Sequence, residues 1–237
     1  HSPSSSLLTS PPSQAHEVRN PLSVVVNGLH FVQEELGEAC PPSVRADLTM
    51  AVKCTEYVDE LLTSHLDLGK LENGEVQLHP ERCSLRHDVL SPVVAMLHSR
   101  GNADLSLTMV EGDPLWVEAD ALRLKQVLTN LAKNAIKFVK DGYIRLGARR
   151  VHEDHVELWC EDDGPGIPPS KAAKLFCKYT QLNAHDQGTG IGLALCRAIA
   201  EAMGGSIDLD PAYTDGARFV TTLPLAAVDP PNVRAVA

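Results

Sequence analysis

The chain has 237 residues, of which 43% are hydrophobic and 22% are charged. This composition is typical of a globular protein and excludes a chain that is disordered or fibrous throughout. The formal charge of −10 disfavours a nucleic-acid partner, because phosphate backbones attract an excess of basic side chains. No apolar run approaches the roughly 20 residues of a membrane span, and there is no signal-peptide pattern, so we expect a soluble, cytoplasmic portion without direct membrane contact.

The first part of the chain combines a linker pattern with two helical patterns. Residues 1–14 are rich in serine and proline and are predicted to form a linker without helix or strand. Across residues 18–36, apolar side chains recur in alternating steps of four and three, the heptad pattern of a packed helix. The Cys-Pro-Pro step at residues 40–42 ends that helix. A second heptad pattern follows over residues 44–65 and fades near residue 74.

These patterns predict an antiparallel helical hairpin over residues 15–74, because only a short turn separates the two helices. Further apolar residues widen each stripe beyond what one partner helix can cover. We therefore expect the hairpin to pair with a second copy as a four-helix bundle, which makes the protein a homodimer.

After about residue 80 the sequence changes to a mixture of helical and strand patterns. We predict helices over residues 84–100, 120–139 and 191–204, and strands over residues 105–110, 115–119, 142–152, 154–162, 205–209 and 217–224. Such an order suits a sheet layered with helices. The predicted fold class is α+β, a helical hairpin followed by a two-layer α/β sandwich over residues 81–226, with residues 227–237 as a tail.

The first candidate site is the segment HEVRNPL, residues 16–22, near the start of the first helix. The heptad pattern places His16, Glu17 and Asn20 on the side that faces water. A neutral imidazole has one unprotonated ring nitrogen that can act as a nucleophile near pH 7, and a neighbouring carboxylate can take or hold the proton on the other ring nitrogen. A zinc-protease HExxH motif is excluded because position 20 is asparagine. An exposed histidine without a function is the alternative.

The second candidate site is the segment NLAKNAIKF within the predicted helix 120–139. Asn130, Asn134 and Lys137 are spaced four and three apart, so they lie on one face of the helix. Amide oxygens suit a hard cation, and an ammonium group suits phosphate. The alternative is a merely solvated helix face.

Two glycine-rich segments complete the candidate sites. In EDDGPGI, residues 161–167, the glycines permit a tight turn close to a ligand, and Asp163 can accept hydrogen bonds from an amino group. In GTGIGL, residues 188–193, the glycines open a helix whose first N–H groups favour phosphate. Taken singly, the first segment is also compatible with a simple turn, and three alternate glycines like those of the second segment can arise by chance.

The order of these segments is more specific than any one of them. HEVRNPL, NLAKNAIKF, DDGPGI, Phe176 and GTGIGL resemble the H, N, G1, F and G2 boxes of sensor histidine kinases. The form HExRNPL is similar to that of hybrid histidine kinases. The resemblance implies that residues 15–74 are a dimerisation and phosphoacceptor domain. It also implies that residues 81–226 are a catalytic ATP-binding domain with the ATPase sandwich of the gyrase and histidine kinase superfamily.

The resemblance implies an ATP-dependent protein-histidine kinase. His16 is expected to attack the γ-phosphate with Glu17 as its acid/base partner, and Asn20 to assist a reverse phosphatase reaction. The phosphoryl group is expected to pass to an aspartate of a response-regulator receiver domain, and an upstream sensor domain is the expected input.

The resemblance also implies ATP and Mg²⁺ as cofactors and assigns their contacts. Asn134 is expected to hold Mg²⁺, Asn130 and Lys137 to contact phosphates, and Asp163 to bind the adenine amino group. The other expected nucleotide-binding residues are Phe138, Gly164, Gly166, Ile167, Phe176, Lys178, Gly188, Thr189, Gly190, Ile191, Gly192 and Leu193.

One stretch departs from the family pattern. The segment between Phe176 and Gly188, CKYTQLNAHDQ, is shorter than the basic lid of many sensor histidine kinases, which leaves Lys178 and the helix start at Gly190 to supply positive potential. This favours an alternative function, a non-catalytic dimeric scaffold or pseudokinase that binds nucleotide and regulates a partner. A third possibility is a clamp driven by ATP, as in gyrase-type proteins, but the hairpin and the exposed His16 argue against it.

Overall fold

The structure, a computed structural model, describes residues 12–37, 40–97, 104–109, 115–180 and 189–225. The chain divides into two units, residues 1–69 and 70–237. Within the described residues, no helix has both the length and the apolar character that a membrane crossing needs.

The first unit is built from two long helices, α1 (Pro12–Leu36) and α2 (Pro42–Glu72), the last turn of α2 belonging to the second unit. Gly37 follows α1 with φ of +47°, and Arg45 Nη2 donates a hydrogen bond of 2.8 Å to its carbonyl oxygen. The prediction that residues 1–14 hold no helix is wrong for residues 12–14. A proline is tolerated in the first turn of a helix, because the N–H that it lacks has no intrahelical partner there.

Helix α1 continues through Pro21. Because proline has no amide hydrogen, the carbonyl of Glu17 loses its usual partner four residues on. The helix is therefore weakened within one turn of His16.

The heptad positions of both helices are only partly covered within the single chain. Val25, Val32 and Val58 are 50%, 40% and 40% exposed, and Phe31 beside them is 60% exposed. Apolar side chains along both helices thus remain in contact with water.

The second unit begins with a short strand and an irregular helical segment. Strand β1 (Glu81–Ser84) leads into a π-helix (Leu85–Leu90) and then α3 (Ser91–Leu97). Ser84 fixes this entry, because its Oγ accepts a 3.2 Å hydrogen bond from the amide of His87. The sequence predicted one continuous helix over residues 84–100 and missed β1, whose four residues are too few to show a period.

In the described part of the chain, seven strands and four α-helices form the second unit together with the end of α2. After β1 and α3 come β2 (Asp104–Met109), β3 (Trp116–Ala119), α4 (Ala121–Phe138), β4 (Tyr143–His152), β5 (His155–Asp162), α5 (Pro169–Ala172), α6 (Gly192–Ala202), β6 (Ser206–Leu209) and β7 (Ala217–Leu223). Strands β1 and β3 pair antiparallel as a separate two-stranded sheet. The main sheet has the order β2-β4-β5-β7-β6, with β2 parallel to β4 and the other pairs antiparallel.

Helices α3, α4 and α6 cover one face of the main sheet. Strand β5 shows why: Val156, Leu158 and Cys160 are buried at alternate positions, so one face of the strand is apolar. Helix α4 meets this face with a stripe that includes Leu124, Val127, Leu128 and Leu131, each no more than 3% exposed. The predicted fold class, a helical region followed by a mixed α/β sandwich, is confirmed.

The face of the sheet away from the helices is covered by long polar and aromatic side chains. Glu161 is buried and accepts hydrogen bonds from the Arg218 guanidinium, with Nε at 2.8 Å, while Arg145 lies 3.6 Å from its other oxygen. Trp159 is only 8% exposed because its ring lies over Gly147, where a Cβ atom would collide with the indole. These contacts shield this side of the sheet from water.

Candidate nucleotide-binding site

The polar face of α4 provides the first part of the candidate site. Asn130 and Asn134 are half-buried on one face of the helix, and Lys137 and Phe138 are exposed at its last turn. The helix is anchored at its start by Asp120, whose Oδ1 accepts a 3.1 Å hydrogen bond from the Arg123 amide. The two asparagine amides are therefore held by a rigid element.

The turn that follows β5 is organised by Asp162. Its Oδ1 accepts hydrogen bonds from the amides of Gly164, at 2.9 Å, and Ala217, at 3.3 Å. Burial raises the pKa of this carboxyl, and the two backbone hydrogen bonds partly offset that effect. Asp162 thus joins the turn to the start of β7.

Asp163, the predicted partner of the adenine amino group, contacts a different segment of the chain from Asp162. Its Oδ1 accepts a 2.8 Å hydrogen bond from the amide of Tyr143 at the start of β4. The carboxylate lies over Gly142, where a Cβ atom would collide with Oδ1. Asp163 thus joins the turn to the neighbouring strand.

Glycines let this turn pack closely against its surroundings. A Cβ atom on Gly164 would lie 3.4 Å from Val139, which follows α4, and one on Gly166 would lie 3.0 Å from the carbonyl oxygen of Gly216. Gly166 has φ of +68°, a conformation that side chains rarely adopt. Ile167, the last predicted residue of this turn, is half-buried.

Phe176 is packed in the core. It is 7% exposed, makes an edge-to-face contact with Phe219 at 6.2 Å and lies under the Arg197 guanidinium at 4.3 Å. Lys178, a predicted nucleotide contact, has its Nζ 2.6 Å from Glu72 Oε2 within the second unit.

The start of α6 completes the candidate site. Within the described residues, no side chain caps this helix, so its first amides keep their hydrogen-bonding capacity. Thr189 Oγ1 accepts a 3.1 Å hydrogen bond from the Ile191 amide, and Leu193 is half-buried. Gly188 lies outside the described residues. Free amides and the helix dipole favour an anion here.

Gly190 is held against the segment that follows Phe176. The amide of Tyr179 donates a 2.9 Å hydrogen bond to the Gly190 carbonyl oxygen, and Tyr179 itself has φ of +60°. A Cβ atom on Gly190 would come within 2.7 Å of the Tyr179 backbone. The glycine is therefore required for both its conformation and its contact.

Replacing Gly190 with alanine should therefore lower stability more than the same change at Gly204. Both residues have left-handed backbones, with φ of +67° and +78°, which cost an alanine about 1–2 kcal/mol. Only at Gly190 would the Cβ atom also strike backbone, since at Gly204 it meets Pro224 at an ordinary 3.4 Å. Thermal unfolding and nucleotide titration of the two variants measure the difference. Equal losses of stability and unchanged nucleotide affinity in both variants would contradict this assignment.

Within the second unit the structure brings several of the predicted residues together. Asn130 meets Gly192 of α6, and the turn around Gly164 meets the end of α4. Asn20 is exposed on α1 in the first unit, and His16 and Glu17 also lie in α1, with side chains outside the described residues.

The sequence prediction for this turn named Asp163 and gave no role to Asp162. The alternation of buried residues along β5 could have indicated Asp162, because Asp162 lies on the same face of the strand as Leu158 and Cys160, whereas Asp163 lies on the other face. Among the described residues, no group of three or more histidine, cysteine or acidic side chains could hold a metal ion.

Comparison with known proteins agrees with this geometry. Residues 119–227 match the family described as histidine kinase-, DNA gyrase B-, and HSP90-like ATPase. The chain is 32% identical over 216 residues to the methanogenesis regulatory histidine kinase FilI of Methanothrix harundinacea. It is also 32% identical over 224 residues to the sensor histidine kinase GacS of Pseudomonas protegens. These matches cover 89% and 90% of the chain, which itself spans 24% of the length of each relative.

Solved structures show the same fold. Full-length ShkA in complex with AMPPNP superimposes with a TM-score of 0.77 at 24% identity, over 92% of this chain and 46% of that one. The catalytic domain of the histidine kinase ThkA has a TM-score of 0.55 at 28% identity and covers 62% of this chain and 95% of its own.

The fold and the matched segment define a histidine kinase-, DNA gyrase B- and HSP90-like ATPase domain. The similarity to these relatives covers 89% to 94% of the chain, and the predicted resemblance to the catalytic core of the sensor histidine kinases, a class of enzymes, is confirmed.

Proposed function

We propose that this protein is a protein-histidine kinase that uses Mg-ATP to phosphorylate His16 and passes the phosphoryl group to an aspartate of a receiver domain. The observation that carries the proposal is the meeting of Asn130 on α4 with the uncapped, glycine-rich start of α6. Both relatives are named histidine kinases, which supports the proposal.

Residues of the second unit fit a nucleoside triphosphate. The uncapped amides at the start of α6 can donate to phosphate oxygens, and the exposed Lys137 can add a positive charge. Asn134 offers an amide oxygen, which suits Mg²⁺ when phosphates supply most of the other ligands. Mg²⁺, when bound, neutralises charge on the triphosphate.

We assign recognition of the adenine amino group to Asp162 in preference to Asp163. The Asp162 carboxylate is 7% exposed and has one oxygen occupied by two backbone amides, so the second oxygen is held in one place. The Asp163 carboxylate is bound to the Tyr143 amide. A buried acceptor in fixed position discriminates an amino group from a carbonyl.

His16 would act as the nucleophile through a neutral ring nitrogen, while Glu17 accepts the proton from the other ring nitrogen. Pro21 deprives the Glu17 carbonyl of its intrahelical hydrogen bond, which makes this turn easier to deform when phosphate approaches. Asn20, exposed on the same helix, would assist hydrolysis of the phosphorylated receiver.

The exposed apolar residues of α1 and α2 support a homodimer. Val25→Asp places a charge at a heptad position and should weaken dimerisation at least about tenfold, because an unpaired carboxylate resists burial. Asn27→Asp adds the same charge at an exposed position two residues on and should leave the dimer intact. Sedimentation over a range of concentrations compares them, and equal dimer constants would count against this interface.

A nucleotide-binding scaffold without kinase activity is the second candidate. It is favoured by the ion pair between Lys178 and Glu72, because Lys178 is the one lysine or arginine in the short segment between Phe176 and Gly188. Incubation with γ-labelled ATP and Mg²⁺ separates the two functions. A kinase acquires acid-labile label that EDTA prevents, whereas a scaffold binds nucleotide and stays unlabelled.

A further inference from the structure

Arg197 lies in α6 and stacks on the ring of Phe176. The carbon at the centre of its guanidinium group lies 4.3 Å from the centroid of that ring. A guanidinium group within about 6 Å of a ring centroid is attracted to the negative face of the aromatic system. Phe176 is 7% exposed and contacts Phe219 edge-to-face, so its ring gives Arg197 a fixed surface. The contact joins α6 to the segment that follows α5.

The same two stretches of chain meet a second time, at Gly190. The amide of Tyr179 donates a 2.9 Å hydrogen bond to the Gly190 carbonyl oxygen. The backbones approach so closely that a Cβ atom on Gly190 would lie 2.7 Å from Tyr179. Between Phe176 and this contact the chain forms a turn, in which the Thr180 amide donates a 3.3 Å hydrogen bond to the Cys177 carbonyl oxygen. We call residues 176–180 the Phe176 turn.

The two contacts place the Phe176 turn between a rigid helix and a glycine-rich loop. Helix α6 packs against α4, which makes Arg197 a fixed point. The other end of the turn holds Gly190, and Gly190 leads directly into the uncapped start of α6. A contact at one end of the turn therefore affects the amides at the other end.

We propose that Arg197 is a positioning residue, which holds the Phe176 turn on α6 and through Tyr179 fixes the glycine-rich start of that helix. The amides at this start are the proposed phosphate donors. Donors that are held in place before a ligand arrives lose less conformational freedom when it binds, so affinity rises. The inference rests on the proposed nucleotide site. Arg197 lies outside every segment that carries the family resemblance.

Hydrogen exchange of the Tyr179 amide tests the positioning without nucleotide. Arg197→Met keeps a long side chain but removes the charge, and Phe176→Leu removes the ring. We expect each change to speed exchange of this amide about threefold to tenfold, because the turn is then held at one end only. Arg197→Lys keeps a cation and should stay within about twofold of the original chain.

Two controls separate positioning from a general loss of stability. The Leu195 amide, which donates a 2.9 Å hydrogen bond to the Ile191 carbonyl oxygen, reports on α6 itself and should exchange as before in Arg197→Met. Arg149→Met is the matched variant, because the Arg149 guanidinium lies 6.0 Å from the Trp159 ring centroid in the main sheet. Unchanged exchange of the Tyr179 amide in Arg197→Met, or equal acceleration in Arg149→Met, would overturn the proposal.

Titration with AMPPNP and Mg²⁺ tests the consequence for the nucleotide. Affinity should fall about threefold to tenfold in Arg197→Met and stay within about twofold in Arg197→Lys and Arg149→Met. In a chain that already carries Phe176→Leu, Arg197→Met should cause little further loss, because both changes remove the same contact. A full further loss there would mean that Arg197 acts on the nucleotide by its own charge, which would also overturn the proposal.

The two measurements distinguish failure of this inference from failure of the proposed function. If the unaltered chain binds no AMPPNP, the proposed function fails. Exchange of the Tyr179 amide still decides whether Arg197 holds the Phe176 turn, because that measurement needs no nucleotide.

Discussion

Replacing His16 with glutamine is expected to abolish ATP-dependent labelling of the protein while leaving its affinity for nucleotide unchanged. Glutamine keeps a polar side chain of similar reach but has no nucleophilic ring nitrogen. The candidate nucleotide contacts lie in the second unit, so the change in α1 should not alter them. The measurement is acid-labile phosphoryl label after incubation with γ-labelled ATP, beside a titration with AMPPNP.

His30→Gln is the matched control for that experiment. His30 is exposed on the same helix α1, fourteen residues further on, and belongs to none of the boxes. We expect its labelling to equal that of the unaltered chain. Persistent acid-labile label in His16→Gln would reject His16 as the acceptor, and loss of label in both variants would point to a general effect on the helix.

Replacing Asp162 with asparagine is expected to weaken nucleotide binding about tenfold to hundredfold without lowering stability at neutral pH. The asparagine oxygen can still accept from the Gly164 and Ala217 amides. Its NH₂ group, however, would oppose the amino group of adenine, so a donor meets a donor. Asp163→Asn is the control and should keep nucleotide affinity, because its carboxylate contacts the Tyr143 amide.

The pH dependence of the same variant has a definite sign. Burial raises the pKa of Asp162 in the folded state, so folding favours the protonated carboxyl. The protonated carboxyl contributes fully to the free energy of unfolding below the pKa of about 3.9 that it has in the unfolded chain. This contribution is lost as pH rises through the higher pKa of the folded state. The asparagine side chain of the variant does not titrate.

The melting temperature of Asp162→Asn relative to the unaltered chain should therefore rise with pH across that window and level off above it. Unfolding followed from acid to neutral pH measures this difference. A difference that falls with rising pH, or a nucleotide affinity lost in Asp163→Asn and kept in Asp162→Asn, would contradict the assignment.

The sequence predicted the elements that have long or regular patterns. The heptads located α1 and α2, and the amphipathic run through Leu124 and Leu131 located α4, because such patterns repeat over several turns. The order of the boxes indicated the sensor histidine kinases. Each box is a short run of neighbouring residues, such as the polar residues of α4 and the glycines at the start of α6, so it can be read from the sequence alone.

What the sequence did not predict depends on contacts between distant segments. The Asp163 carboxylate meets the Tyr143 amide across 20 residues, and Lys178 meets Glu72 across 106, and no local pattern encodes either. Cys196 has an ordinary position in an apolar helix, and only the packing of α6 on α4 brings its thiol to the carbonyl oxygen of Val127. The alternation along β5 places Asp162 on the same face as Leu158 and Cys160 and could have indicated it. Two adjacent aspartates, however, offer the same carboxylate, and the prediction chose Asp163.

The packing of Trp159 against Gly147 provides an optical probe of the second unit. The chain has two tryptophans, and both, Trp116 and Trp159, lie in the second unit. Tryptophan fluorescence therefore follows unfolding of the α/β unit alone, whereas far-ultraviolet circular dichroism is sensitive also to α1 and α2. Transitions that coincide would show that the two units unfold as one, and transitions that separate would give each unit its own stability.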